Sequence, residues 1–418
     1  MASVYLESIE INGYRSCAGT KFQPHSSLSG LIGINGSGKT NILSALRLLN
    51  PFEYLDGRSY RSIQEDSQIP ETNIYATFLT GKRRIYFSLS LKIASVRGEE
   101  EVVSAIEKWN FREFGREDAW IEIPVFATFD KKHISQVMQH WYISGDLRRK
   151  TNASSSNMEE ILNDKTISRS LRLVSEYRRN IKYYSASQFT DPSRCPSSFE
   201  LDASGRLETN YSNRSSQHLR FLFDLYNLKK KNIELYKEYE EYVSTRMLGL
   251  VSRISWKPVK LSSNTVEMKT GGTIKKVRQY KTLVIPKVQI GSSHITFNQL
   301  SEGTFKTLAL IFYIMTEDAS CFLIEEPEVC IHHGLLRRIL GIMKSHSRIR
   351  QVVFTTHSDL VLDTIDKENV FVVDMKRSIT RVNQLADWAG KDGMAALDAY
   401  LEESGTLGEY WRTGGLTS

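Results

Sequence analysis

The sequence predicts an α/β fold: a mixed sheet joined to a parallel α/β core and interrupted by a largely helical insertion. Three observations predict it. First, Leu31 and Ile32 end an apolar run, Gly33-x-x-x-x-Gly38-Lys39-Thr40 follows, and Ile42, Leu43, Leu46 and Leu49 recur at helical spacing. Second, the final third of the chain alternates strand and helix, as a parallel sheet requires. Third, two apolar strands there, Cys321–Ile324 and Gln351–Thr356, stop at Glu325-Glu326 and at His357.

The bulk properties fit that fold. The 418 residues suffice for one large domain with insertions or for two domains, and 40% hydrophobic with 25% charged residues is ordinary for a globular chain. A net charge of +7 permits nucleic-acid contact without proving it. Four cysteines (Cys17, Cys195, Cys321, Cys330) lie far apart without C-x-x-C spacing, which suits a reducing cytoplasm and argues against structural zinc or disulfides. Glu7, Glu10 and Arg15 interrupt any early apolar run, and no stretch approaches the ~20 apolar residues of a membrane span. A cytoplasmic protein with no membrane partner is expected.

Taken in order, residues 3–35 read as two strands around a turn: Val4–Ile9 alternates, and Leu28–Ile34 enters the glycine loop. The helix from Asn41 to Leu49 leads to a polar loop, Asp56–Glu71. Alternating runs at Asn73–Leu79 and Arg84–Ile93 flank the turn Thr80-Gly81-Lys82. Residues 97–170 are mixed, with a low-complexity loop at Thr151–Asn157. Ile181–Ser185 reads as a strand stopping at a loop that carries Gln188. Residues 216–254 read as one long helix, Val259–Phe297 as strand-rich, and no repeat or sustained heptad is visible. Four segments are expected: 1–95, 96–180, 181–290 and 291–418.

The residues that carry chemistry cluster in the first and last segments. Glycines let the loop backbone curl so that Asn35, Gly36, Ser37 and Gly38 present N–H groups to one anion, and the following helix adds its positive end. Lys39 would reach the β- and γ-phosphates of a nucleotide, and the Thr40 hydroxyl would ligate Mg²⁺. A buried strand ending in Glu325-Glu326 places carboxylates beside those phosphates. Glu325 would hold Mg²⁺, and Glu326 would accept a proton from attacking water. A lone histidine is more often structural than catalytic. His357, however, follows the acidic strand by one β–α–β unit, which reverses that expectation in favour of a γ-phosphate or water contact. Ser301 is a good N-cap for the helix that continues through Thr307–Met315, and Gly303 lets its backbone approach an anion.

In that order, Gly33–Thr40, Leu300-Ser301-Glu302-Gly303, Ile324-Glu325-Glu326-Pro327 and Thr356-His357-Ser358 resemble the motifs of the ABC-type ATPase head. The likeness is to the branch of RecF, SMC proteins and overcoming-lysogenization-defect (OLD) nucleases, over residues 1–95 and 180–375. The opening Ile9–Ser16 is similar to the aromatic–Arg motif of such heads, which implies that Arg15 lies near the nucleotide; Asn41, next to Thr40, is expected in the same site. The resemblance implies a Mg²⁺ or water contact for Gln188, with Gln64 and Gln68 as rivals by position. It implies that Ser301 contacts the γ-phosphate held by an opposite subunit, with Glu302 and Gly303 in the same nucleotide-binding segment, so that ATP and Mg²⁺ join a homodimer or higher oligomer through the heads. Glu328–His333 resembles a Glu-x-x-Leu-His-Pro segment implied to cross that interface. Three departures stand out: Glu302 within Leu-Ser-Gly-Gly, Glu325 for aspartate, and His333 for proline. None removes a group that hydrolysis requires.

The chain has no room for SMC arms, and the 61 residues after His357 are too few for a Toprim nuclease domain, so no nuclease site of its own is expected. The ending Tyr400–Trp411 looks like the tail of stand-alone OLD-like ATPases of anti-phage systems such as Septu and PARIS. That implies a sensor or scaffold controlling a separate HNH or Toprim effector. The rival is a RecF-like DNA-repair ATPase binding DNA through Arg148-Arg149-Lys150, Arg178-Arg179, Lys229-Lys230-Lys231 and Lys275-Lys276, each of which is otherwise an ordinary solvated face. A transporter's nucleotide-binding subunit is disfavoured by the opening motif and the long insertion. Trp109, Phe111, Trp120, Trp141 and Tyr142 are expected in the insertion core rather than on a base-stacking platform.

Overall fold

A computed structural model describes residues 4–55, 71–95, 101–114, 120–127, 164–207, 216–268, 274–329, 331–403 and 405–414. They form two compact units that divide the chain differently from the four expected segments: 1–184, 318–327 and 340–418 in one, 185–317 and 328–339 in the other.

The first unit begins with β1 (Val4–Tyr14), β2 (Cys17–Phe22) and β3 (Leu28–Ile32), then α1 (Lys39–Arg47) and α2 (Pro51–Leu55). The stretch before the glycine loop therefore holds three strands, not two. β1 carries Ile9, Ile11 and Tyr14 inward with a register shift around Asn12, and Gly13 and Arg15, both at positive φ, turn the chain into β2. β4 (Glu71–Thr80) and β5 (Arg83–Ser95) pair across Gly81-Lys82, as the alternation predicts. β6 (Glu101–Asn110) and β7 (Ile121–Ala127) continue the same antiparallel sheet, in the order β2-β1-β4-β5-β6-β7. The helical character expected of 96–180 thus belongs, among the described residues, to α3 (Lys165–Arg179). Residues 101–110 are strand because Ala105, Glu107 and Trp109 alternate inward at period two. The loop at 151–157, Trp141, Tyr142 and most of the polar loop 56–71 lie outside the described residues, as do Gln64, Gln68 and Arg148–Lys150.

After β8 (Ile181–Ser185) the chain enters the second unit: β9 (Phe199–Leu201), α4 (Ser216–Lys231), α5 (Ile233–Val243), the hairpin β10 (Arg253–Met268) and β11 (Ile274–Ile290), β12 (Ser293–Ile295) and α6 (Glu302–Thr316). The single helix expected over 216–254 is two. Asn232 leaves helical geometry and its side chain caps Leu235, and the helix ends at Val243. Phe189, Phe221, Phe297 and Phe305 form an edge-to-face core, tied by Tyr239 Oη donating to the Leu308 carbonyl at 3.0 Å.

The chain then supplies β13 (Cys321–Glu325), α7 (His333–His346), β14 (Gln351–Thr356), α8 (Asp359–Leu362), β15 (Val370–Lys376), β16 (Ile379–Gln384), α9 (Leu385–Glu402) and α10 (Leu407–Arg412). The second sheet of the first unit runs β16-β15-β3-β14-β13-β8, parallel from β15 through β13 with β16 antiparallel at its edge. One core lies between the two sheets and takes in α1 and α3. Two polar staples cross it. The Gln351 carboxamide accepts from Leu6 N (2.7 Å) and Tyr177 Oη (2.5 Å) and donates to the Leu6 and His25 carbonyls. Arg178, wholly buried, pairs with Glu107 at 2.7 Å, donates to the Leu49 carbonyl and lies over Phe87 at 4.0 Å. That burial removes Arg178 from the basic faces read from the sequence. Trp109 and Phe111 are core as expected, whereas Trp120 is exposed.

Candidate nucleotide site

The glycine loop follows β3 and closes at α1. Gly38, at φ +101, occupies the N-cap position, a conformation only glycine adopts without strain. A Cβ on Gly33 would lie 2.3 Å from the Val373 carbonyl, so both motif glycines are dictated by close packing as well as by the turn. Ile42, Leu43 and Leu46 anchor α1 in the core. Lys39 is 5% exposed, and its Nζ bends back to the Gly33 carbonyl (2.7 Å) and the Ile34 carbonyl (3.1 Å), straddling the loop from beneath. A cup of about 160 Å³ results, lined by residues 35–41 and Glu326.

β13 and β14 lie side by side in register, Glu325 opposite Thr355, and this delivers the acids to the rim. Thr40 Oγ1 donates to Glu325 Oε1 at 2.6 Å, and Tyr183 Oη donates to Oε2 at 2.5 Å. Glu326 sits at φ +44, a strained position for a non-glycine residue. Its N–H is held by the Thr355 carbonyl (3.1 Å) and hydroxyl (3.2 Å), which overdetermines the turn and aims the carboxylate at the cup. His357 Nδ1 is 3.5 Å from Glu326 Oε1. Arg15 Nη1 donates to Asn41 Oδ1 at 3.2 Å. Sequence reasoning missed Tyr183, which occupies β8 more than a hundred residues before its partner and carries no motif. A tyrosine in the strand bordering the acidic one was the available signal.

The oxygen set of the Thr40 hydroxyl and the Glu325 carboxylate, already 2.6 Å apart, suits a hard divalent cation such as Mg²⁺. The remaining predicted residues lie in the second unit. Ser301, exposed, caps α6 by accepting from Thr304 N at 3.2 Å. Glu302 is paired with the buried Lys306 at 2.6 Å, so the residue that departs from Leu-Ser-Gly-Gly brings its own counter-charge. Gln188 accepts from Ser185 N at 3.3 Å, capping its own turn. His333 is the first residue of α7, the N1 position where proline is favoured, so its replacement of proline leaves the helix start intact.

The described cysteines are free and buried; burial pushes the Cys17 thiol up to about 11 and the Cys321 thiol up to about 12, which keeps both protonated and unreactive. No helix of the described residues is long and apolar enough to cross a membrane.

With this geometry in view, comparison with known proteins finds that the family described as "AAA ATPase domain" matches residues 5–247, more than half of the chain. The chain belongs to that family. A second family, described as "AAA domain, putative AbiEii toxin, Type IV TA system", matches residues 291–363 of the ATPase. No curated protein matches it. Among solved structures, the SMC head domain from Thermotoga maritima is 11% identical, with 91% of this chain and 98% of that one covered and a TM-score of 0.38. The Smc head domain bound to the C-terminal domain of ScpA, derived from Pyrococcus furiosus, is 11% identical over 96% of this chain and 99% of that one, at a TM-score of 0.41. The head with coiled coil and joint derived from Pyrococcus yayanosii is 11% identical over 96% and 100%, also at 0.41. The ATPase has the α/β fold that its motifs predict, with a glycine-rich phosphate loop between β3 and α1.

Proposed function

We propose that this ATPase binds Mg–ATP in the cup of Gly33–Thr40, closes with a second copy around the nucleotide, and uses the cycle to control a separate effector protein in bacterial anti-phage defence. The observation that carries the catalytic part is the convergence on one rim of Thr40, Glu325, Glu326 and His357. Lys39 and the N–H groups of residues 35–40 bind the β- and γ-phosphates; Lys39 exchanges its carbonyl partners for phosphate oxygens as it does so. Thr40 and Glu325 would hold Mg²⁺, with Tyr183 orienting the Glu325 carboxylate, and the ion would supply neutralisation of phosphate charge there. Glu326 takes the proton of the attacking water, and His357 steadies Glu326 and the γ-phosphate oxygen. Arg15 acts through Asn41. Ser301 and Gly303 of a second copy supply the facing helix end, where Lys306 offsets the charge of Glu302. Gln188 contributes a Mg²⁺ or water contact once its cap opens.

The effector reading draws support from the toxin–antitoxin description of the family matching 291–363 and from the likeness of the C-terminal tail to defence ATPases. The effector belongs to the HNH or Toprim class. The test is the mass of Glu326→Gln in solution with and without Mg–ATP, followed by co-purification with the products of neighbouring genes. An ATP-dependent dimer that captures a nuclease-like neighbour supports the proposal. A monomer under both conditions, or a toxic neighbour that neither binds nor needs this protein, contradicts it.

One observation favours a second reading, ATP-linked DNA binding. Residues 253–290 carry nine Lys and Arg against one acid, a surplus of eight, where the whole chain has +7. The β10–β11 hairpin therefore concentrates the chain's net positive charge in one ribbon, which Lys275-Lys276 only hinted at. Duplex binding that falls steeply with salt, and that is lost on neutralising Lys257, Lys260 and Lys287, would establish it.

A further inference from the structure

We infer that Thr380, on the edge strand β16, is a positioning residue that sets the Ser37–Gly38 peptide of the phosphate loop and joins it to Arg15 through a directional chain of hydrogen bonds. The inference deepens the ATP-site reading and rests on it. Thr380 is 0% exposed and lies directly against the loop: a Cβ added to Gly38 would sit 2.0 Å from its Oγ1. Its backbone is pinned on both sides, Thr380 N donating to the Ser16 carbonyl at 2.9 Å and its carbonyl accepting from Thr20 Oγ1 at 2.7 Å. The side chain is therefore placed by β2 and by the turn before it, independently of the loop that it touches.

Counting hydrogens fixes the direction of the chain. Arg15 Nη1 can only donate, and it donates to Asn41 Oδ1 (3.2 Å). The Asn41 amide nitrogen donates in turn to Ser16 Oγ at 2.6 Å. The Ser16 hydroxyl hydrogen is then directed at Thr380 Oγ1, 2.6 Å away, which leaves the Thr380 hydrogen for the Ser37 carbonyl at 3.4 Å. Each donor polarises the next acceptor, so the chain acts as a unit. A trans peptide sets its C=O and N–H in opposite directions. Holding the Ser37 carbonyl toward Thr380 thus turns the Gly38 N–H to the other side, toward the phosphate. Without the hydroxyl, that peptide is free to rotate about a glycine at positive φ, where rotation is least hindered.

The test is ATP affinity and the division between KM and kcat for three variants, with thermal melts as a check on folding. Thr380→Val keeps the shape and removes the hydroxyl; it should weaken ATP binding and raise KM about tenfold while kcat changes little. Thr380→Ser returns the hydroxyl and should restore most of the affinity. Ser16→Ala breaks the same chain one link earlier, and its effect should not add to that of Thr380→Val. Wild-type affinity in Thr380→Val, equal weakening by Val and Ser, or strict additivity with Ser16→Ala would each overturn the inference. Should Thr380→Val fail to fold, Ser16→Ala alone decides: affinity within about twofold of wild type rejects the chain. Loss of binding in Lys39→Ala with none in Thr380→Val rejects this inference while leaving the ATP site standing. A wild-type protein that binds no ATP rejects both.

Discussion

The two ends of helices that this ATPase offers to phosphate are built in opposite ways. The end of α1 is held from every side: Lys39 beneath the loop, Thr380 against Gly38, and Thr40 bridged through Glu325 to Tyr183. The end of α6 is held only by its own residues, with Ser301 exposed, capping Thr304, and Glu302 paired with Lys306 one turn on. The first holds its backbone in place for an anion and asks only that Lys39 exchange its carbonyl partners for phosphate oxygens. The second has Thr304 N capped by Ser301, and in the proposed arrangement it meets a phosphate held by a second copy. That contrast suits the proposed ATP-gated association, with one half-site largely built and the other complementary to it.

The comparison can be broken at four points, from the largest expected effect to the smallest. Lys39→Ala removes the buried cation of the rigid half-site, and ATP binding measured calorimetrically should fall by at least about 100-fold. Retained binding would show that the loop does not depend on it. Arg178→Ala strips the partner of buried Glu107 behind α1 and should cost about 3–5 kcal/mol in denaturant unfolding. The hydrophobic isostere Arg178→Met with Glu107→Leu should recover much of that, and a loss unchanged in the double variant would deny the ion pair its role. Ser301→Ala should cost about 1 kcal/mol as a lost cap yet leave monomer ATP affinity unchanged, because the proposed arrangement places its phosphate on the twin. ATP-dependent dimerisation, read by light scattering, should be lost. Equal dimerisation would remove Ser301 from the interface. Tyr183→Phe should raise the Mg²⁺ concentration for half-maximal turnover only a few-fold, about 1 kcal/mol for one hydrogen bond to a carboxylate that Thr40 still holds.

What the sequence revealed and what it concealed divide along the range of the interactions. The loop, its helix and the strands ending in Glu325 and His357 were legible because glycine turns, caps and apolar runs are local signals. The parallel core followed from their alternation. The β1–β2 turn was not legible because its sharp bend rests on Gly13 and Arg15 at positive φ, within residues that read as a motif. The long helix over 216–254 was misread because Asn232 breaks it without proline or glycine. Arg178 looked solvated beside Arg179, although one of two adjacent helical residues can point into a core while its neighbour points out. Thr380 reaches the loop across 343 residues and Tyr183 reaches Glu325 across 142, and no spacing rule spans such distances. The strain at Glu326 was equally hidden, since it depends on Thr355 in the neighbouring strand.

The most direct measurement of the central claim is phosphate release at saturating Mg–ATP by wild type and by Glu326→Gln, with ATP affinity measured in parallel. Removing the base while keeping the shape of its side chain should lower turnover by about 100- to 10,000-fold and leave binding intact. Wild-type turnover in the variant, or a wild-type protein that releases no phosphate, would contradict the assignment of this rim as the site of hydrolysis.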